Sequence, residues 1–310
     1  MSHDHHHHHH HHDNVSAGND LQKRKLIWST VLNLVISVAE IIGGIVSNSL
    51  ALVSDALHNL GDTSALFIAY LATLISHKNN SEKKTFGYKR IEILAALLNA
   101  IILAVIIVYL FIEAVRRIGH PEPIKGLIMF VVAVIGFFAN LISVMLLRKN
   151  ARTSINIKAA YLHLLGDTVS SVVVIVCAIL IYFFKVYWID PVVTFLLGIY
   201  LLRETFLIVK ESVDILMQST PHGLDLNEVK SALESIPEID NIHHVHAWNL
   251  NDQDIQFECH IDLRSDLRVS ETEMLQHQVR KILLNKFKID HVTVQYEYNC
   301  CEDKNMIHSR

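Results

Sequence analysis

The sequence predicts a membrane α-helical fold of six transmembrane helices followed by a cytoplasmic α+β domain of ferredoxin-like layout. Three observations carry that expectation. Apolar residues are concentrated between Leu26 and Val209, after which the chain becomes charged and mixed. Within that part lie six stretches long enough to cross a hydrocarbon core of about 30 Å. Beyond Pro221 short helical and strand patterns alternate over a length close to one small domain of about 100 residues.

The spans are placed near 26–46, 51–75, 91–115, 124–147, 157–184 and 191–210. Only Ser47 to Leu50 join the first two, which makes a tight helical hairpin. Gly119-His120-Pro121-Glu122-Pro123 separates the third and fourth, because glycine and proline interrupt helices there. An even number of spans puts both termini on one side, and Lys and Arg in the short loops choose the side. The flanks holding Lys23, Arg24 and Lys25, then Lys83, Lys84, Lys89 and Arg90, then Arg148, Lys149, Arg152 and Lys158 are basic and belong inside. Arg116, Arg117 and Lys125 fall on the other side and count against this. The majority places both termini in the cytoplasm.

Residues 1–25 have no apolar core of a cleavable signal peptide. The net charge of -4 carries no nucleic-acid signal. Cys177, Cys259, Cys300 and Cys301 make no disulfide framework and fit free thiols in a reducing cytoplasm.

Residues 224–235 read as an amphipathic helix with Leu224, Val229, Leu233 and Ile236 on one face. Strands follow at 241–250 and 254–263, a helix at 270–287, and a period-2 strand at 291–298. The order α-β-β-α-β is a ferredoxin-like layout lacking its first strand. The expected boundaries are a His-rich disordered tail at 1–22, a six-helix transmembrane domain at 23–211 and a soluble metal-binding and dimerisation domain at 212–310.

An imidazole and a carboxylate in hydrocarbon are costly, so a chain keeps them there for a purpose. Two copies of one spacing, His58-x-x-x-Asp62 and His163-x-x-x-Asp167, sit in the second and fifth stretches. At i,i+4 the two side chains are roughly 40° apart on one helical face. Two such helices facing each other offer two nitrogen and two oxygen ligands, enough for a tetrahedral zinc-like site. Nitrogen donors favour zinc over manganese, which prefers oxygen. Asp55 shares the stripe of His58 and Asp62 and is expected to orient a ligand rather than to bind. Gly61 and Gly166 occupy equivalent places beside the two pairs and are expected to admit a close helix neighbour. Asn33 and Glu40 share a face of the first helix. Glu40 reads either as a proton-handling carboxylate or as a helix contact.

Ser47-Asn48-Ser49-Leu50-Ala51-Leu52-Val53-Ser54-Asp55-Ala56-Leu57-His58-Asn59-Leu60-Gly61-Asp62 strongly resembles the signature of the cation diffusion facilitator family, zinc-transporting branch. Thr85-Phe86-Gly87-Tyr88-Lys89-Arg90, the second pair at His163 and Asp167, and Leu216-Met217-Gln218-Ser219-Thr220-Pro221 fit it too. The resemblance implies a homodimeric metal efflux transporter of the cell membrane, not an enzyme, with no cofactor and with zinc and protons as substrates. It implies a transport site of His58, Asp62, His163 and Asp167, with cadmium or cobalt as further cargo. It also implies zinc as a ligand of the soluble domain, at His243, His260 and Glu297. Relatives often carry an acid where Gln218 stands, joining the membrane and soluble parts through a basic residue such as Arg90. Glutamine there carries no charge to offer such an interlock. A manganese or iron(II) transporter of the same family is the alternative, and a membrane-anchored metal sensor the next. An intramembrane metalloprotease would need a His-Glu-x-x-His helix, and none is present.

A zinc-ligating histidine must be neutral and a ligating carboxylate ionised, so binding zinc releases protons and protonation releases zinc. The ordinary histidine pKa of about 6.5 lets that exchange run at cellular pH. On the first soluble strand, alternation predicts His243 opposite to His244, with His246 on the face of His244. The segment His3-Asp4-His5 through His12-Asp13 reads as a low-affinity zinc collector or as a purification tag. Cys300 and Cys301 are either thiolate ligands or simple exposed thiols.

Overall fold

The computed structural model describes residues 13–76, 80–148, 155–252, 254–299 and 305–307. Six long helices come first: α1 (Asp13–Ser47), α2 (Leu50–Ser76), α3 (Ile91–Gly119), α4 (Gly126–Arg148), α5 (Ile155–Phe184) and α6 (Ile189–Leu216). The six expected stretches are helical, the fourth only from Gly126 on. Five of them, in α1, α3, α4, α5 and α6, are long and apolar enough to cross a membrane. The second, α2, falls outside that group. It carries Asp55, His58, Asn59 and Asp62, the polar residues that make it of interest.

The chain divides into two compact units. One takes in the chain up to Phe67 together with Ile101–Phe206, and the other Ile68–Ala100 with Leu207–Arg310. In the first, α4 packs against α1 and α5. Its core gathers Leu52, Met129, Ala133, Val174, Ala178 and Ile181. Val105, Ile112, Met145, Phe183 and Leu196 are exposed, the outward apolar surface that a hydrocarbon solvent accepts.

Helix α1 begins at Asp13, inside the segment expected to be a disordered tail. Residues 13–22 are therefore helical, a correction to that expectation. Once the apolar part nucleates a helix, extending it through Gln22, Lys23 and Arg24 costs little, because these are good helix formers. The histidine run at 3–12, Cys300 and Cys301 lie outside the described residues.

The α1–α2 hairpin turns at Asn48, whose φ of 62° is left-handed, a conformation asparagine tolerates better than most residues. Its side chain accepts from Arg117 Nη2 at 2.9 Å and donates to Glu122 Oε2 at 3.0 Å. Arg116 and Arg117, the two arginines that counted against the orientation, are paired. Arg116 Nη2 lies 3.0 Å from Glu122 Oε1, and Arg117 Nε 2.9 Å from Glu113 Oε1. The Asn48 amide and then the Arg117 guanidinium hold the Glu122 carboxyl below its ordinary range.

In the second unit, α7 (Leu226–Glu234), β1 (Ile239–Asn249), β2 (Ile255–Leu263), α8 (Val269–Phe287) and β3 (His291–Glu297) follow the expected α-β-β-α-β order. The sheet order is β1-β2-β3, with β1 antiparallel to β2 and β2 parallel to β3. Val229, Leu233, Leu275, Val279 and Leu283 from the helices pack on Ile242, Phe257 and Ile261 of the sheet. Asp225 caps α7 by accepting from Asn227 N at 2.8 Å.

Strand β1 does not alternate as expected. Ile242 and Val245 both face the core, though an odd separation puts residues of a regular strand on opposite faces. A bulge between His243 and His246 resolves the conflict, with His244 at φ 51°. The N–H groups of His244 and Val245 turn outward and donate to Asn305 O and Met306 O at 3.2 and 2.8 Å.

Candidate metal centres

Helices α2 and α5 bring the two His/Asp pairs together. His58 Nε2 lies 3.4 Å from Asp167 Oδ1, and His163 Nε2 lies 3.2 Å from Asp62 Oδ2. Within the helices, His58 Nδ1 is 3.3 Å from Asp62 Oδ2, and His163 Nε2 is 3.7 Å from Asp167 Oδ2. Each imidazole therefore meets the carboxylate of the other helix as well as its own. Ligand atoms about 2.0–2.1 Å from a tetrahedral zinc lie about 3.3 Å from one another. The cross-helix contacts match that spacing. Oδ2 of Asp62 and Oδ2 of Asp167 are buried and accept no hydrogen bond among the described residues.

Asp167 is the buried member of the set, with 2% of its side chain exposed, whereas 43% of His163 is exposed. A small cavity beside the pairs is lined by His58, His163, Gly166, Asp167, Ser170 and Tyr200. Gly166 has nothing within 4 Å of where a Cβ would stand, and at Gly61 such an atom would meet only the Leu103 side chain at 3.4 Å. The expected close helix approach at these two glycines is not there. Gly166 leaves space at the site instead, and tight approaches fall at other glycines, among them Gly43 against Val132, Gly136 against Glu40 and Gly198 against Phe111.

Asp55 is buried and accepts from Ser170 Oγ at 2.6 Å and Ser171 Oγ at 3.5 Å, both on α5. Each hydroxyl also lies 2.9 Å from Asp167 O, so its single proton is shared between that carbonyl and Asp55. Asp55 thus ties α2 to the turn of α5 that carries Asp167. Glu40 is buried as well. Its Oε2 accepts from Asn59 Nδ2 at 3.4 Å, and its Oε1 has no hydrogen bond among the described residues.

One anchoring residue was missed in the sequence. Asp190 opens α6, yet it accepts from Ser49 Oγ at 2.5 Å, Leu50 N at 2.8 Å and Ala51 N at 3.3 Å. It caps α2 from another helix, meeting the orphan N–H groups and positive dipole end of the helix that bears His58. Its local signal, an aspartate before Pro191, points only to a start of α6.

The second cluster lies on the sheet. His243 pairs directly with His260 across β1 and β2, and Asp262 of β2 with Glu297 of β3. His243 Nε2 is 3.2 Å from Glu297 Oε2, and His260 Nδ1 is 2.8 Å from Glu297 Oε1. Gln295 Nε2 donates to the same Oε1 at 2.8 Å. His243 is buried, and among the described residues neither ring nitrogen has a hydrogen bond. One ligand atom from each of His243, His260 and Glu297 lies within 4.8 Å of the others, the one such group among the described residues.

The bulge changes the expected facing of the β1 histidines. His244 does not point away from His243: its ring stacks on His260 at 4.6 Å and 8° and meets His246 at 5.2 Å. All four imidazoles gather on the outer face of the sheet. Cys259, beside His260, points the other way into the core, where burial pushes its thiol up to about 12 and keeps it from acting as a thiolate ligand.

Comparison with known families finds a match for each of two segments of the chain. Residues 26–217 match the cation efflux transmembrane domain, and 221–299 match the cation efflux protein cytoplasmic domain. The chain belongs to the cation efflux, or cation diffusion facilitator, family. Members of this family are transporters and not enzymes, and this one is an integral membrane protein. It is 38% identical to the metal cation efflux system protein CzcD of Cupriavidus metallidurans, over 86% of this chain and 83% of that protein. Zinc transporter ZitB of Pectobacterium atrosepticum is 35% identical over 98% of this chain and 91% of its own length. The cadmium, cobalt and zinc/H(+)-K(+) antiporter of Bacillus subtilis is 35% identical over 92% of each.

Proposed function

We propose that this cation efflux protein exports zinc from the cytoplasm in exchange for protons, through His58, Asp62, His163 and Asp167. The observation that carries the reading is the crossing of the two pairs, each imidazole within 3.2–3.4 Å of the other helix's carboxylate. Two nitrogens and two oxygens from two helices suit zinc, with cadmium or cobalt as further cargo. The relatives whose names include zinc, cadmium and cobalt support the same set. Zinc displaces protons from the imidazoles, and protons arriving from the other side displace zinc. A ligand set split between two helices opens when those helices shift, which gives alternating access a physical route.

In this reading α2 is the sixth span. Its ends support that. Asn48 is bonded to Arg117 in the last turn of α3 and to Glu122 just beyond it, and Ser76 Oγ donates to Glu92 Oε1 at the start of α3 at 2.8 Å. A helix joined to a membrane span at both ends crosses with it. Both termini and the soluble domain then face the cytoplasm, as the basic flanks suggest, in the cell membrane. The parallel pairing of β2 and β3 supports a ferredoxin-like sheet without its first strand, and the cytoplasmic-domain model that the chain matches is one named for a dimer. We read the chain as a homodimer, with lipid around it and no nucleic-acid partner. His243, His260 and Glu297 hold a second, regulatory zinc, and Asp55 orients the α5 ligand through Ser170.

The test is metal flux in proteoliposomes under a pH gradient, comparing Zn²⁺, Cd²⁺, Co²⁺ and Mn²⁺. Zinc-driven proton movement is expected, falling at least about tenfold in His163→Ala, the equivalent of 1.4 kcal/mol. Flux like that of the unmodified protein in His163→Ala sinks the assigned site.

A further inference from the structure

Among the described residues, the basic loop between α2 and α3 holds a half-buried cation, Arg90, with a buried donor that meets no acceptor. Lys89 Nζ bonds Asp254 Oδ2 at 2.6 Å, and Lys84 Nζ sits 3.9 Å above the Tyr88 ring. Arg90 is different. Its Nε is buried without a hydrogen bond, and no carboxylate among the described residues pairs with its guanidinium. A buried N–H without an acceptor is unfavourable, and an anion beside the guanidinium would relieve it.

The surroundings have the chemistry to hold one. Arg90, Lys84, Lys89, Gln218, Tyr88 and Trp248 line a cavity of about 410 Å³, within the ordinary size range of small-ligand sites. No aspartate or glutamate lines it. Gln218, just past the end of α6 at φ 58°, presents an amide where an acid would neutralise the arginine internally. The planar guanidinium fork matches two oxygens of a tetrahedral oxyanion better than it matches a spherical ion.

We propose that this cavity binds a phosphate-bearing anion, held by the Arg90 guanidinium beside Lys84 and the Gln218 amide, its charge standing where a carboxylate at position 218 would. The aromatic walls of Tyr88 and Trp248 accommodate the organic part of a phosphodiester. Because Arg90 immediately precedes α3, a membrane-length helix, an anionic lipid headgroup is one source. Free phosphate offers the same oxygens. The site does not depend on which metal the protein moves.

Purified full-length protein in detergent tests this by titration with phosphatidylglycerol, with phosphatidylcholine, and with inorganic phosphate against chloride at matched ionic strength. Tm and native mass spectrometry give the readout. Saturable binding of phosphatidylglycerol but not phosphatidylcholine is expected, weakened about tenfold or more in Arg90→Gln and Gln218→Glu and kept in Gln218→Asn. Saturable binding of inorganic phosphate with the same variant pattern supports the cavity and assigns the free anion as its ligand. Gln218→Glu alters an exposed side chain, so it reports even where Arg90→Gln fails to fold. No saturable binding, or binding unchanged in Gln218→Glu and in folded Arg90→Gln, overturns the proposal.

Discussion

Asp190 shows how much one carboxylate can hold. It meets three donors at the start of α2, and about two turns further along that helix stands His58. Asp190→Ala leaves buried N–H groups without an acceptor, and hydrogen bonds to a charged group are worth about 1.5–3 kcal/mol each. A Tm lowered by several degrees in detergent is expected, with zinc flux lost in parallel. Asp190→Asn should keep part of both. An unchanged Tm in Asp190→Ala would show that the first turn of α2 finds its acceptors elsewhere. Nothing local in the sequence could name this role, because the partners lie 140 positions away. The His/Asp pairs were legible for the opposite reason. Their i,i+4 spacing is local and occurs twice, so helical geometry alone placed each pair on one face, and the duplication pointed to the helices facing each other.

At the scale of elements, α2 and β1 depart from the pattern that finds their neighbours. The polar stripe of α2 is the cause in one case. Its topology has a direct check in a background with Cys300 and Cys301 replaced by serine. Val46→Cys, before the α1–α2 turn, should react with an impermeant maleimide from outside the cell, and Ser81→Cys only after permeabilisation. Labelling of both from one side would remove α2 as a span. In β1 the cause is one surplus residue. Period-2 reading assumes a fixed register, so it assigned His243 and His244 to opposite faces, and no pattern in Ile242-His243-His244-Val245-His246 marks where the register slips. Deleting His244 makes Ile242 and Val245 neighbours on one face without a bulge. The variant is expected to fold with stability within about 1 kcal/mol of the parent, since the buried set is unchanged, and a loss above about 3 kcal/mol by denaturant titration would show that the bulge supports the core.

For the whole molecule, the apolar runs and the α-β-β-α-β order were readable because membrane solvent and strand alternation impose composition directly on sequence. Charge balance was only half readable. The loop rule treated Arg116 and Arg117 as evidence about orientation, whereas Glu113 and Glu122 pair with both. Arg90 is the opposite case, a cation with no acid paired to it among the described residues. The Asp190 cap also has a consequence in time. The chain is made from its amino end, so the first turn of α2 exists before Asp190 has been polymerised. At roughly 5–20 residues per second that interval is about 7–28 seconds for the 140 positions between them. Through that interval the hairpin of α1 and α2 sits with its N–H groups unmet by their eventual acceptor. The last long helix to be synthesised is therefore the one that completes the second.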